Sequence, residues 1–227
     1  MTLTAEDVSV LFLTLRIAAL ATLIILPLGV GAAYLLARRH GFGRTLTETL
    51  LTLPLVLPPT AVGLLLLELL RRSGPVGKLL DRAGVELLFT WKAVVLATAV
   101  MSFPLLVRTA IVAFEDVDPR LLGMARSLGS RPAAVFARVA LPLAWRGVLA
   151  GSLLAFSRAL GEFGATILVA GSIPGRTRTL ALAIFQRNQI GADGAALRLV
   201  AVAVIIAFAA VWTTELVTRR HTRRTET

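Results

Sequence analysis

Five stretches of this chain stay apolar for roughly twenty residues or more, the length an α-helix needs to cross the hydrocarbon core of a bilayer. They run near 10–37, 46–70, 93–114, 143–170 and 195–217. Lipid offers a peptide group no hydrogen-bond partner, so segments of this length must satisfy their own backbone, as helices. With the 18 glycines counted and the one tyrosine left out, the apolar share is roughly 63%, against about 45–50% in ordinary globular domains. Charged residues make up 16%, where about 25% is usual. The expected fold is therefore an all-α integral membrane bundle of about five transmembrane helices, forming a single domain over residues 1–227. The connections are too short to hold a separate nucleotide-binding or catalytic domain. The chain opens on acidic residues, and its first apolar run is too long for the h-region of a signal peptide, so that run is expected to be a permanent span.

A net charge of +11 raises nucleic-acid binding, but 24 Lys and Arg dispersed over membrane loops fit the cytoplasmic excess of basic residues better. With no Cys, and only His40 and His221 beside arginine pairs, neither a thiolate nor a metal site is expected, and no cofactor. Five spans put the termini on opposite sides. An outside N-terminus makes cytoplasmic Arg38, Arg39 and Arg44, the arginines of the third loop and its edge (Arg120, Arg126, Arg131, Arg138, Arg146), and Arg219, Arg220, Arg223 and Arg224 of the tail. Those twelve face nine on the other side, and the stub before the first span has none.

Three spans carry more than hydrocarbon. In the second, Pro54, Pro58 and Pro59 remove backbone donors, and broken backbone at membrane depth usually lines a cavity. The third carries Pro104. The fourth holds Arg158 and Glu162, four residues apart and so on one helical face, either as a functional pair or as a structural ion pair. Arg16 and Arg108 lie nearer span ends, where a long side chain can snorkel to the interface.

The third loop, residues 115–142, is the most informative segment. Asp118 before Pro119 reads as an N-cap with proline at the first helical position, and Gly129 as a left-handed stop about ten residues later. Leu121, Leu122, Ala125 and Leu128 share one side of that short helix. A second start follows at Ser130, with Pro132 in its first turn. Such a pair has too little local core to bury its apolar residues, and it suits docking in a groove on a partner, or else a connector lying on headgroups.

The run Ala125-Arg-Ser-Leu-Gly129, nine residues, then Val139-Ala-Leu141-Pro142, resembles the cytoplasmic signature of permease subunits of ABC importers: Glu-Ala-Ala, three residues, Gly, nine residues, Ile, one residue, Leu-Pro. Gly123 and Met124 stand where that pattern has Glu and its first Ala, so the role of that Glu does not carry over. Leu53 to Thr60, Arg158 to Thr166 and Ile173 to Ile184 are similar to the molybdate branch, with sulfate and tungstate relatives close by. The resemblance covers nearly the whole chain.

It implies the membrane-spanning subunit of an ATP-driven importer for a tetrahedral oxyanion, molybdate first, sulfate or tungstate otherwise, in a prokaryotic inner membrane. It further implies a homodimer, two cytoplasmic ATP-binding subunits docked on the third loops, and a periplasmic or extracellular oxyanion-binding protein. Ala125, Gly129, Val139, Leu141 and Pro142 would form the coupling loop. Pro58, Pro59, Thr60, Ser157, Arg158, Glu162 and Thr166 are the candidates for the translocation pathway. The chain has no phosphate-binding Gly-x-x-x-x-Gly-Lys-Ser/Thr run, so ATP hydrolysis would belong to the partner. An intramembrane hydrolase would need a base at mid-span, and no His or Lys lies there. An ATPase-independent secondary transporter is disfavoured by the odd span count and the lack of an evident inverted repeat.

Overall fold

The computed structural model describes residues 3–222, with side chains as far as Leu216. Arg219 and Arg220 of the expected basic tail therefore have no described side chains, and Arg223 and Arg224 lie outside the described residues.

Thr4 opens the first helix, α1 (Ala5–Ala37): its hydroxyl accepts from the Asp7 N–H at 3.2 Å and the Asp7 carboxylate accepts from the Thr4 N–H at 2.9 Å. The buried side of α1 is built from small residues, Ala18, Ala21, Gly29 and Ala33, which let it lie close against α5 (Trp91–Glu115). A methyl placed on Gly29 would sit 2.7 Å from the Leu106 side chain. α5 is the central helix, and it also packs on α8 (Leu141–Leu160). Phe114, Met101, Leu106 and Val107 of α5 are among the largest fully buried side chains.

The run expected as one span over 46–70 is a bent pair, α2 (Phe42–Val56) and α3 (Pro59–Leu70), inclined by 108°. Pro58 supplies no N–H and drives Leu57 into an extended conformation (φ −67°, ψ 144°), and Pro59 then starts the next helix at its first position. A short amphipathic helix, α4 (Pro75–Arg82), leads from there to α5.

The fourth run also departs from a single straight span. The helical path begins at Pro132, within the loop, as α7 (Pro132–Val135), widens into a π-turn over Phe136–Ala140, and continues as α8 to Leu160. Residues 161–163 break it, and α9 (Gly164–Ala170) is a separate short helix packed on α3. α10 (Leu180–Gln189) and α11 (Asp193–Thr222) complete the chain, with α6 (Pro119–Ser127) in the third loop. No strand occurs among the described residues. Among the described residues, four helical segments are long and apolar enough to cross a membrane, five if the bent pair counts as one span.

Candidate coupling loop and membrane pathway

The loop after α5 is held from both ends. Asp118 accepts from the Arg120 N–H at 2.8 Å and so caps α6, and Gly129 ends it with φ +79°. The Gly129 N–H donates to the Arg126 carbonyl at 2.9 Å and the Ser130 N–H to the Ala125 carbonyl at 3.1 Å, the paired closure that a left-handed glycine permits. The expected apolar face of α6 is divided. Leu122 is buried, 3% exposed, and clusters with Val135, Ala125 and Val139, whereas Leu121, Met124 (63%) and Leu128 (85%) face outward with nothing over them.

An aromatic group fixes this loop to the membrane helices. Phe136 lies 4.9 Å from the Tyr34 ring of α1 and 6.2 Å from the Phe114 ring of α5, and Tyr34 meets Phe114 edge-on at 5.4 Å. Arg38 donates to the Phe114 carbonyl at 3.0 Å, and Arg44 pairs with both Glu48 and Glu115, joining α2 to the end of α5. The Leu141-Pro142 pair has a local consequence. Pro142 has no N–H to return to the carbonyl four residues back, and the Leu141 N–H reaches five residues back to Phe136, which produces the π-turn. Val139 and Leu141 pack into the same cluster as Leu122 and Val135.

In the membrane, the two chain breaks meet. Gly63 of α3 lies against Ala165, where an added methyl would come within 2.7 Å of the Ala165 Cα, and Gly164 lies equally close to Pro59. Arg158, in the last turn of α8, reaches Glu162 at 2.9 Å. Glu162 is not on the helix with it, as the spacing had suggested, but in the break, 2% exposed, where its other oxygen accepts from the Ala165 N–H at 3.0 Å. Glu162 thus neutralises an arginine and caps α9 together, and the guanidinium side of the pair is 27% exposed. Pro58, Pro59 and Thr60 are exposed at the α2–α3 bend, with Pro59 also against Gly164. The remaining two candidates lie elsewhere. Thr166 is fully buried, its hydroxyl without a partner among the described residues, so it lines no open route in this conformation. Ser157 donates to the Leu153 carbonyl at 2.8 Å and borders a cavity of about 170 Å³ with Leu11, Thr14 and Leu180.

A second ion cluster, with one buried and one exposed carboxylate, has no counterpart in the sequence reading. Asp7, 0% exposed, meets Arg187 of α10 at 2.5 Å; Glu6 pairs with Arg178 at 2.8 Å; and the Thr14 hydroxyl accepts from the Leu180 N–H at 2.8 Å. These contacts tie the start of α1 to the segment before α11. The only sequence signal was an acidic pair ahead of the first span, and a separation of more than 170 residues hides its partners.

Comparison with known proteins adds the following. The family described as binding-protein-dependent transport system inner membrane component matches residues 25–223. The chain is 42% identical over 221 residues to the molybdenum transport system permease protein ModB of Escherichia coli (strain K12), covering 96% of each. It is 39% identical over 220 residues to that of Haemophilus influenzae, again 96% of each, and 41% over 206 residues to that of Mycobacterium bovis, 89% of this chain and 78% of the other. Among solved structures, it superposes on a chain of a bacterial alginate ABC transporter in complex with alginate pentasaccharide-bound periplasmic protein with a TM-score of 0.73. That match is at 17% identity, over 96% of this chain and 80% of that one. A chain of an amino acid ABC transporter with histidines gives 0.63 at 20% identity, over 97% and 100%.

Proposed function

We propose, since the chain belongs to the family of binding-protein-dependent transport system inner membrane components, that it is the membrane-spanning permease subunit of an ATP-driven molybdate importer. It is a transport subunit and not an enzyme: its work is to hold two packings and to let partners bias between them.

The observation that carries the mechanism is the coupling loop. Its inner face is locked on Tyr34 and Phe114 while Leu121, Met124 and Leu128 stand uncovered on the outer face of α6. That arrangement suits a lever. A cytoplasmic ATP-binding subunit seated on α6 would move α7, the π-turn and α8 with it, because Leu122, Val135 and Phe136 leave little slack between them. Ala125, Gly129, Val139, Leu141 and Pro142 shape the lever instead of touching the partner's nucleotide. Two such ATPase subunits would serve a homodimer of this chain, with a periplasmic oxyanion-binding protein delivering at the other face. The N-terminus lies outside and the C-terminus in the cytoplasm.

Of the pathway candidates, Pro58, Pro59 and Thr60 are exposed at the bend and Arg158 keeps an exposed side, and that exposure supports these four as the ones that would face a passing anion. Glu162 holds Arg158 and α9 in place. The test of the coupling reading is recovery of the ATPase subunit with the solubilised permease. Leu128→Asp puts a charge into the docking face without touching the fold, and it should abolish recovery while the permease still reaches the membrane. Undiminished recovery would refute the docking face.

A further inference from the structure

Seven residues before the end of α5, about 10 Å along the helix axis, stands a cation that the sequence reading assigned to snorkelling. Arg108 is exposed and makes no ion pair or hydrogen bond among the described residues. It does not need to reach the headgroups to find room. It lines a cavity of about 290 Å³ between α2 and α5, shared with Thr45, Thr49 and Thr52, and on its other side a cavity of about 690 Å³ running along α5 and α8 to the base of α6.

The neighbouring charges are committed or lie nearer the loop. Glu48 and Glu115 are both held by Arg44, Asp118 caps α6, and Asp116 and Arg146 border the larger cavity beside the loop. We propose that Arg108 and the hydroxyl face of α2 form a transit site for a divalent tetrahedral oxyanion in the cytoplasmic half of the membrane. This deepens the importer reading and rests on it.

The chemistry fits transit better than storage. A guanidinium offers two parallel N–H groups to two oxygens of one anion. The Thr45 hydroxyl has no partner among the described residues, while Thr49 and Thr52 donate to their own helix, to the Thr45 carbonyl at 2.8 Å and the Glu48 carbonyl at 2.9 Å. Either proton can turn to an anion only by giving up that bond. Binding is therefore weak, and an anion that must leave needs a weak site.

A lipid phosphate offers the same oxygens, so the test must separate the two sources. The chain has no cysteine, so Thr49→Cys introduces a single thiol beside Arg108. The full complex, with ATPase and binding protein, is placed in vesicles and labelled from the cytoplasmic side with an anionic and a neutral methanethiosulfonate. The anionic reagent should react roughly tenfold faster with Arg108 present than in Arg108→Gln, the neutral one equally in both. Millimolar molybdate should slow the anionic reaction. Exchanging phosphatidylglycerol for phosphatidylcholine removes the anionic surface potential from both proteins alike, so the ratio of anionic labelling between the Arg108 protein and Arg108→Gln should stay the same; a rise in that ratio on the exchange would mean that an anionic lipid headgroup occupies Arg108, and would overturn the proposal.

In uptake, Arg108→Gln should lose at least about tenfold with ATPase activity retained, and Arg108→Lys should recover most of it. Charge-independent labelling, or normal uptake by Arg108→Gln, would overturn the proposal. If Arg108→Gln does not assemble, Thr45→Val with Thr52→Val carries the test: molybdate protection at Thr49→Cys should weaken, and unchanged protection overturns it. Failure of the unmutated complex to carry molybdate would instead overturn the substrate reading, and charge-dependent labelling would still decide Arg108.

Discussion

Gly129 is the residue on which the coupling loop turns, and its φ of +79° is one that a β-branched side chain resists. Gly129→Val should strain the turn by about 1 kcal/mol or more and tilt α6 against its anchor. The variant should insert in the membrane but lose transport or the ATPase subunit; normal transport with normal complex recovery would reduce the loop to a connector. At the other end of the molecule, Asp7 is fully buried against Arg187. Asp7→Ala takes the short, buried partner from Arg187 and leaves it only Glu6 at 3.7 Å, which should cost less than the full loss of a buried pair, on the order of 1–3 kcal/mol, readable as a lower unfolding temperature in detergent. Asp7→Leu with Arg187→Leu should recover much of it, because removing both charges removes the uncompensated one. A single mutant as stable as the parent would show that the pair contributes nothing. Gly129 was legible from its place between two helix starts. Asp7 was not, because nothing local distinguishes an acidic N-cap neighbour from one that reaches across the fold.

The elements were legible to the extent that hydrophobicity and length decide them. Apolar runs located the membrane helices, and the three prolines of the second run announced the disruption, but not the 108° bend or the place of the break at Leu57 and Pro58. The fourth run misled for a different reason. Apart from Arg158 and Glu162 the sequence stays apolar past Phe163, while the helix stops at Leu160, where Glu162 turns to Arg158 and to the Ala165 N–H. That double duty sets a prediction. Exchanging the charges, Arg158→Glu with Glu162→Arg, restores opposite signs but gives α9 an arginine that cannot accept from Ala165. The exchanged protein should remain less stable than the parent, and Glu162→Gln, which keeps an acceptor, should be less damaging than Glu162→Arg. Full stability and uptake in the exchanged protein would reduce the site to a simple ion pair. The approach of α3 to α9 makes a companion test. Gly63→Val must displace the Ala165 backbone, now 2.7 Å from the added methyl, and should destabilise the protein as an overpacked core does, by about 1–3 kcal/mol.

For the whole molecule, the charge pattern and the proposed coupling loop support the same orientation. A loop that meets the ATPase would be cytoplasmic, and the acidic start of α1 would then lie outside and the basic tail inside. Labels at Thr2 and Thr225, both outside the described residues, should report opposite sides of the membrane; finding them on one side would remove the five-span topology. The substrate is the least local property of all. Among the described residues the spans offer scattered hydroxyls, few unpaired cations and no dense basic cage, so under the proposed function fine discrimination among molybdate, tungstate and sulfate would fall to the delivering protein. The central claim is therefore tested by uptake in proteoliposomes containing the permease, its ATPase subunits and its own binding protein. Labelled molybdate should accumulate only with ATP, tungstate should compete and sulfate should compete poorly. Accumulation of sulfate with molybdate ignored, or of a neutral solute or an amino acid, would contradict it.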